Sequence, residues 1–239
     1  MIFGNWIILL LILTGALLSV ILRKLTVSAA VTGCILAYFV FAGAGYNGLI
    51  MMAVFFIAAV LATSLKSKEK LQHSLTENKT GMRNAAQVIA NAGAPALAGL
   101  LHVLNILAAP ITFVIIAACF SSAIADTVSS EMGNAYGRKY FNILTLKKEE
   151  RGLNGVVSIE GFLFGLAGSI LIAGVYSYEH GWNYSSLIII IAGTAGNITD
   201  SILGATAERK GYLNNNAVNF LNTSFAGLLA AALHTIPIM

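Results

Sequence analysis

The chain has 239 residues, of which 57% are hydrophobic and only 10% are charged. Because about a quarter of the residues in a typical soluble domain are charged, this composition excludes a soluble globular protein. Together with the mean hydropathy of +0.81, it indicates an integral membrane protein. The apolar runs are long and unbroken, which excludes an outer-membrane barrel built from alternating strands of roughly ten residues. The predicted fold is therefore an all-α, polytopic bundle of membrane helices.

The apolar runs predict about eight transmembrane helices in a single membrane domain that covers residues 1–239. A helix of roughly 20 residues crosses the hydrocarbon core, and each run is close to that length. The first run has no basic segment before it and no clear cleavage site after it, so we interpret it as a retained helix. The predicted spans are residues 3–22, 27–44, 47–65, 84–107, 110–126, 157–177, 185–206 and 217–236.

The positive charges favour this count. All 14 lysine and arginine residues fall in the loops after predicted spans one, three, five and seven, and the alternate loops carry none. Basic loops of membrane proteins stay in the cytoplasm, so both termini are predicted to lie outside. The same rule accounts for the net charge of +4 without any binding of nucleic acid.

Three acids mark a candidate metal site near the cytoplasmic face. Asp126 is predicted at the end of span five, Glu131 in a cytoplasmic active-site loop of about residues 127–156, and Asp200 in the inner half of span seven. Carboxylates close to hydrocarbon are costly and usually functional, and Mg²⁺ prefers one or two carboxylates together with substrate phosphates. The alternative is that these acids form structural ion pairs with loop lysines or arginines.

The same loop contains a candidate phosphate-binding segment. Its glycines allow backbone N–H groups to approach phosphate oxygens, the next helix begins there, and arginine binds phosphate in a bidentate manner. The alternative is an ordinary solvated basic loop. The predicted phosphate-binding residues are Lys147, Lys148, Arg151, Gly152, Gly155 and Ser158.

A further set of polar residues is predicted to face the interior of the bundle. Arg83, Gln87 and Asn91 recur every four residues and therefore share one face of span four. They either join helices through interhelical hydrogen bonds or line a polar pocket. The other predicted pocket residues are Glu160 in the first turn of span six, Asn197 in span seven and Asn219 in span eight.

The depth of the acids favours an enzyme over a carrier. A secondary transporter usually holds its charged groups near the midplane, between broken helices. Here all the candidate acids approach one face, where a cytosolic nucleotide can reach them. Acidic residues that can bind a metal lie beside basic residues and glycines that can bind phosphates. Together they indicate phosphoryl or nucleotidyl transfer at the membrane surface.

Five motifs in order along the chain carry a family resemblance. They are RxxxQVxAN (83–91), ADTxxSExG (125–133), KxxxRGxxGxxSxxG (147–161), DSxLGA (200–205) and VN (218–219). Together they resemble the domain of unknown function 92 family, which includes transmembrane protein 19 and the plant phytyl-phosphate kinase of vitamin E synthesis. More distantly, the arrangement is similar to the CTP-using phytol kinases, dolichol kinases and phosphatidate cytidylyltransferases.

The resemblance implies a Mg²⁺-dependent kinase that converts an isoprenoid monophosphate to the diphosphate with a nucleoside triphosphate, CTP or else ATP. It implies that Asp126 and Asp200 hold magnesium and that Lys147, Lys148 and Arg151 meet the nucleotide phosphates. Many members are bacterial or archaeal, so we expect a prokaryotic cell membrane with the active site facing the cytoplasm. The alternatives are a cytidylyltransferase that makes a CDP-lipid, and a small lipid or ion carrier. The sequence indicates no oligomeric state.

Overall fold

Helices form nearly all of the chain in the computed structural model, which describes residues 2–65 and 81–236, with side chains from residue 6 onwards. The helices are α1 (Ile2–Ile21), α2 (Val27–Ser64), α3 (Ala85–Val103), α4 (Ala109–Tyr136), α5 (Ile159–His180), α6 (Tyr184–Leu203) and α7 (Asn215–His234). A π-helical turn, Gly204–Glu208, continues α6, and two short antiparallel strands, β1 (Phe141–Asn142) and β2 (Val156–Val157), pair in the loop before α5.

The helices have the length and composition of membrane spans. Among the described residues, six helices, α2 to α7, are long and apolar enough to cross a membrane, and α1 adds a shorter apolar segment, Trp6–Ile21. Many large apolar side chains are exposed on the outside of the bundle, where lipid replaces water. The predicted class is confirmed: the protein is a polytopic helical membrane protein.

Helix α2 is a hairpin of two arms. Ala44 and Gly45 leave the helical conformation, with φ of +57° at Gly45, and separate a first arm (27–43) from a second arm (46–64). Phe56 in the second arm packs against the cluster of Leu25, Ala29 and Ala30 at the start of the first, whereas a straight helix would hold Ala30 and Phe56 about 39 Å apart. The arms correspond to the predicted spans 27–44 and 47–65.

Helix α4 is the centre of the bundle. It packs against α2, α3, α5, α6 and α7, and half of its 28 residues are buried. Small residues allow its neighbours to approach closely, as is common in membrane bundles. Gly193 and Gly196 of α6 contact Ser121 and Ser122 of α4, and Gly227 of α7 contacts Cys119.

Helix α4 does not end at Asp126 as predicted. It continues to Tyr136, so the predicted loop of 127–156 is wrong at its start and the α4–α5 loop comprises residues 137–158. The extra turns are polar on one side because they face a polar cavity, and their other side packs against α5, where Gly133 meets Gly161. Helix α3 also ends earlier than predicted, at Val103.

Candidate functional site

A polar cavity of about 490 Å³ lies at the end of the bundle where the basic loops gather. Its walls come from α3 to α7, the second arm of α2 and the α4–α5 loop. Arg83, Asn154 and Glu208 belong to three different loops or loop ends and all line it. The cavity thus collects polar groups from segments that are distant in the sequence.

Two aspartates meet in the wall of this cavity. Asp126 lies on α4 and Asp200 on α6, and their carboxyl groups are within hydrogen-bonding reach of each other. Two carboxyl groups this close either share a proton or, when both are ionised, need a cation between them. The pair is therefore a natural place for a cation.

A buried chain of hydrogen bonds holds Asp200 in position. The Asn222 side-chain N–H donates to Oδ1 of Asp200 at 2.7 Å, and the Ser122 hydroxyl donates to Oδ1 of Asn222 at 3.0 Å. Asn222 is only 1% exposed and Ser122 is fully buried. Buried polar groups that are fully paired fix a single geometry, so this chain sets the orientation of the Asp200 carboxylate.

Three asparagines of the cavity wall differ in how their side-chain oxygens are paired. The Oδ1 atoms of Asn91 and Asn219 are buried and, within the part of the chain that the structure describes, accept no hydrogen bond. Asn197 differs, because its Oδ1 accepts a hydrogen bond from the Ser129 hydroxyl at 3.1 Å. Leaving a buried amide oxygen without a hydrogen bond costs free energy, so such an oxygen indicates a place where a ligand or a water molecule binds.

Arg83 supplies the positive charge of the cavity. Its backbone is fixed to the α1–α2 turn, since its N–H donates to the Lys24 carbonyl and its carbonyl accepts from the Thr26 N–H. Its guanidinium lies over the ring of Phe56, at 5.9 Å from the centroid. Burial lowers the pKa of the Arg83 guanidinium, and the nearby Glu131 carboxylate partly opposes that shift. A half-buried arginine on an aromatic ring is a well-positioned partner for an anion.

The α4–α5 loop is held against the end of α6. Gly155 has a φ of +73°, and a side chain there would overlap Ala205, so only glycine fits without strain. The Arg209 guanidinium donates to the Asn154 carbonyl and to Oε2 of Glu149, both at 2.6 Å. Glu149 also accepts a hydrogen bond from Asn142 at 3.1 Å. These contacts hold the glycine-rich part of the loop at the mouth of the cavity.

The ion pair of Arg209 with Glu149 predicts that the mobility of the α4–α5 loop depends on pH. Hydrogen bonding to Arg209 lowers the pKa of Glu149 from its ordinary 4.5, so the contact is complete above that value and is lost as the pH falls through the lowered pKa. We expect a nitroxide label at Leu144→Cys to gain mobility between about pH 5 and about pH 3. In an Arg209→Gln background the label should be mobile throughout. A label with unchanged mobility across this range would contradict the role of the ion pair.

The model of the integral membrane protein DUF92 family matches residues 10–227 of the chain. The chain belongs to this family. The resemblance that the five motifs predicted is therefore confirmed, and these motifs supply most of the cavity wall.

Relatives of the chain occur in archaea, cyanobacteria and plants. An uncharacterized membrane protein of Methanocaldococcus jannaschii is 32% identical over 212 residues, or 87% of this chain and 83% of that protein. An uncharacterized membrane protein of Synechocystis is 30% identical over 204 residues, which cover 82% of this chain and 77% of that protein. Protein VTE6, chloroplastic, of Arabidopsis thaliana is 29% identical over 193 residues, which cover 78% of this chain and 58% of VTE6. No solved structure matches the chain.

Most residues that the sequence predicted for the site line the cavity. Ser158 does so while acting as the N-cap of α5, because its hydroxyl accepts a hydrogen bond from the Gly161 N–H at 3.1 Å. The predicted residues in the cavity wall are Arg83, Gln87, Asn91, Asp126, Glu131, Gly152, Gly155, Ser158, Asn197, Asp200 and Asn219.

Four predicted residues do not line the cavity. Lys147 and Lys148 are exposed on the loop, and Arg151 is half-buried beside it. Glu160 lies in the first turn of α5, where its carboxylate accepts a hydrogen bond from the Arg138 N–H at 3.4 Å. A negative charge in the first turn also interacts favourably with the helix dipole, which gives Glu160 a structural role.

The structure adds supporting contacts to the predicted site. Asn222 and Ser122 support Asp200, and the pair of Arg209 with Glu149 fixes the loop. The signal for Asn222 was the spacing of Asn219 and Asn222 on α7, which places both on one helix face. The partner of Arg209 had no signal in the sequence, because the loop packs against α6 only in the folded chain.

The cavity residues fit a magnesium ion. Mg²⁺ takes one or two carboxylates and completes its octahedral shell with water and substrate phosphates. Asp126 and Asp200 would supply the carboxylates, and Asn91 and Asn219 of the same wall carry buried amide oxygens without a hydrogen-bond partner among the described residues. Among the described residues no group of three or more acids, histidines or cysteines is placed to hold a metal without other ligands.

Proposed function

We propose that this protein is a Mg²⁺-dependent kinase of isoprenoid monophosphates that uses a nucleoside triphosphate, CTP in the first place. The observation that carries the proposal is the Asp126–Asp200 pair in a polar cavity that also contains Arg83. Phosphoryl transfer needs carboxylates that can hold a metal and a cationic side chain that can hold a phosphate. The aspartate pair and the half-buried Arg83 are such groups.

Family membership supports the same activity. The family that the motifs identified includes a plant phytyl-phosphate kinase, and the relatives matched here include a chloroplast protein. The substrate of the plant enzyme is not transferred to this chain, since relatives also occur in an archaeon and a cyanobacterium. The proposed substrate is therefore the chemical class, an isoprenoid monophosphate, and not one alcohol.

In the proposed reaction, an oxygen of the lipid phosphate attacks the γ-phosphorus of the nucleotide. The bond between γ-phosphorus and the bridging β–γ oxygen breaks, and the nucleoside diphosphate leaves with that oxygen. When bound, Mg²⁺ would neutralise the negative charge that develops on the phosphates during transfer. Asp126 and Asp200 hold the ion, Arg83 holds the lipid phosphate, and Asn222 keeps Asp200 oriented. Catalysis then comes from positioning and electrostatics, with no covalent intermediate on the protein.

We further propose that the chain crosses the membrane eight times with both termini outside, in a prokaryotic cell membrane. Helix α1, the two arms of α2, and α3 to α7 make up these crossings. The loops that contain Arg83, Asn154 and Glu208 surround one cavity, which supports a common side for them. That side is cytoplasmic by the positive-inside rule, so a cytosolic nucleotide reaches the cavity directly.

Turnover of the purified protein tests the proposal. The protein in detergent is incubated with Mg²⁺, CTP or ATP, and geranylgeranyl or phytyl monophosphate, and both products are identified by mass spectrometry. A lipid diphosphate with CDP or ADP supports the kinase. A CDP-lipid with pyrophosphate would instead identify a cytidylyltransferase. Transport of the lipid across liposomes without nucleotide, and no product, would identify a carrier.

Replacing Asn222 is expected to weaken magnesium binding rather than the fold. Asn222→Ala removes the hydrogen bond that orients Asp200, and loss of such a supporting partner typically costs about 10–100-fold in metal affinity. The Mg²⁺ concentration for half-maximal turnover should rise by that factor, while turnover at saturating Mg²⁺ recovers. A variant with an unchanged Mg²⁺ dependence would exclude this positioning role.

A further inference from the structure

An apolar groove of about 420 Å³ lies beside the polar cavity. It is enclosed by α1, by both arms of α2 and by the start of α3. Helix α1 packs against α2 and leaves much of its own apolar surface exposed, for example at Leu13 and Leu17. The groove is thus bounded on one side by a peripheral helix that faces lipid.

The groove and the cavity share part of their walls. Phe55, Arg83, Gln87 and Asn91 line both. The Arg83 guanidinium marks the boundary, because it lies over the ring of Phe56, which lines only the groove. One side of Arg83 is therefore apolar and the other leads to the Asp126–Asp200 pair.

We infer that the groove is the binding site for the hydrocarbon tail of an isoprenoid phosphate whose phosphate is held at Arg83. This inference rests on the proposed function and names the subsite that the lipid uses. The groove and the cavity are continuous at Arg83, and this continuity indicates which kind of ligand fits. A ligand that fills both must have a negatively charged head and a long apolar tail, which is the chemistry of a lipid phosphate.

The inference predicts how the chain selects its substrate. An amphiphile bound in this way places its phosphate beside the metal-binding pair while its tail stays among apolar side chains. The groove contributes affinity for long tails, because each buried methylene gains transfer free energy. A short-chain phosphate should use the cavity alone and gain nothing from the groove.

Two glycines allow the groove to be blocked without disturbing the packing. Gly33 on α2 and Gly15 on α1 both line the groove, and a Cβ added at either would meet nothing within 4 Å. Gly174 on α5 is a matched control, because it also has open space around its Cα and lines neither the groove nor the cavity. We therefore expect phenylalanine at Gly33 or Gly15 to obstruct the groove, and Gly174→Phe to leave both the groove and the cavity open.

Photo-crosslinking tests the inference directly. The probe is geranylgeranyl monophosphate with a diazirine on its last isoprene unit, and labelled peptides are mapped by mass spectrometry. We expect labels on α1 and α2, reduced about tenfold by Gly33→Phe and unchanged by Gly174→Phe. Gly15→Phe, from the opposite wall, serves as the second blocking variant. Labels on the outer faces of α5 to α7, or labelling of α1 and α2 that neither blocking variant reduces, would overturn the inference.

A kinetic comparison separates this inference from the proposed function. In Gly33→Phe, kcat/KM for the twenty-carbon phosphate should fall about tenfold, and kcat/KM for dimethylallyl monophosphate should not change. Turnover with labels outside the groove would reject the tail site and leave the kinase intact. Labels in the groove without any turnover would reject the kinase and leave a lipid-phosphate site.

Discussion

Asp126→Asn and Asp200→Asn are each expected to lower turnover by about a thousandfold, the upper range for removing one electrostatic group from a preorganised site. The two carboxyl groups meet in the cavity wall, where they would bind one cation together. Removing either charge therefore weakens the whole site. An amide keeps the shape of the side chain but removes the negative charge. The loss should therefore appear in turnover without a change in thermal stability or in the position of the lipid label.

Glu179→Gln is the matched control for these two variants. Glu179 is a carboxylate near the far end of α5, where its Oε2 accepts a hydrogen bond from Asn47 at 3.1 Å, and it does not line the cavity. Its replacement should leave kcat and KM unchanged. Turnover of Asp126→Asn within tenfold of the unmodified protein would contradict the metal-binding assignment.

Gly99→Ala is expected to cause the largest loss of stability from adding a single methyl group. A Cβ at Gly99 of α3 would overlap the Phe39 carbonyl of α2, and a Cβ at Gly43 would come within 2.8 Å of the Gly99 Cα. The two helices thus touch through their backbones, which cannot yield as a flexible side chain can. Overpacking of this kind costs about 1–3 kcal/mol.

Thermal unfolding in detergent measures this prediction. Gly174→Ala is the control, because its added methyl group meets nothing within 4 Å. The control should unfold at or above the temperature of the unmodified protein, since alanine favours a helix over glycine by about 1 kcal/mol. If both variants unfold together, the close approach of α2 and α3 at Gly99 is not a determinant of stability.

Most of the site could be predicted from sequence because the membrane makes polar residues conspicuous. In an apolar chain, the costs of burying Asp126, Asp200 or Asn91 are high enough that each indicates a polar interior site. The predicted phosphate-binding roles of Lys147 and Lys148 had no such basis in the sequence. A lysine in a loop has the same sequence signal whether it faces a ligand or solvent, and the structure places both on the exposed side.

The error at the end of α4 has a physical cause. Residues after Asp126 are polar, and polarity next to an apolar run usually marks a loop. Here the helix continues to Tyr136 because one of its faces lines a polar cavity while the other packs against Gly161. Hydropathy cannot distinguish a helix beside a wet cavity from a loop in water.

The sequence by itself determined the class of the protein, its family and the acids that are candidates for the site. These follow from the cost of charge in hydrocarbon, which acts on each residue separately. Only the tertiary structure decided which groups meet. The contact of Asp126 with Asp200, the support from Asn222 and the hairpin of α2 depend on packing between helices distant in the chain. So does the groove that joins the cavity at Arg83, because its two walls are brought together only when α2 folds back on itself.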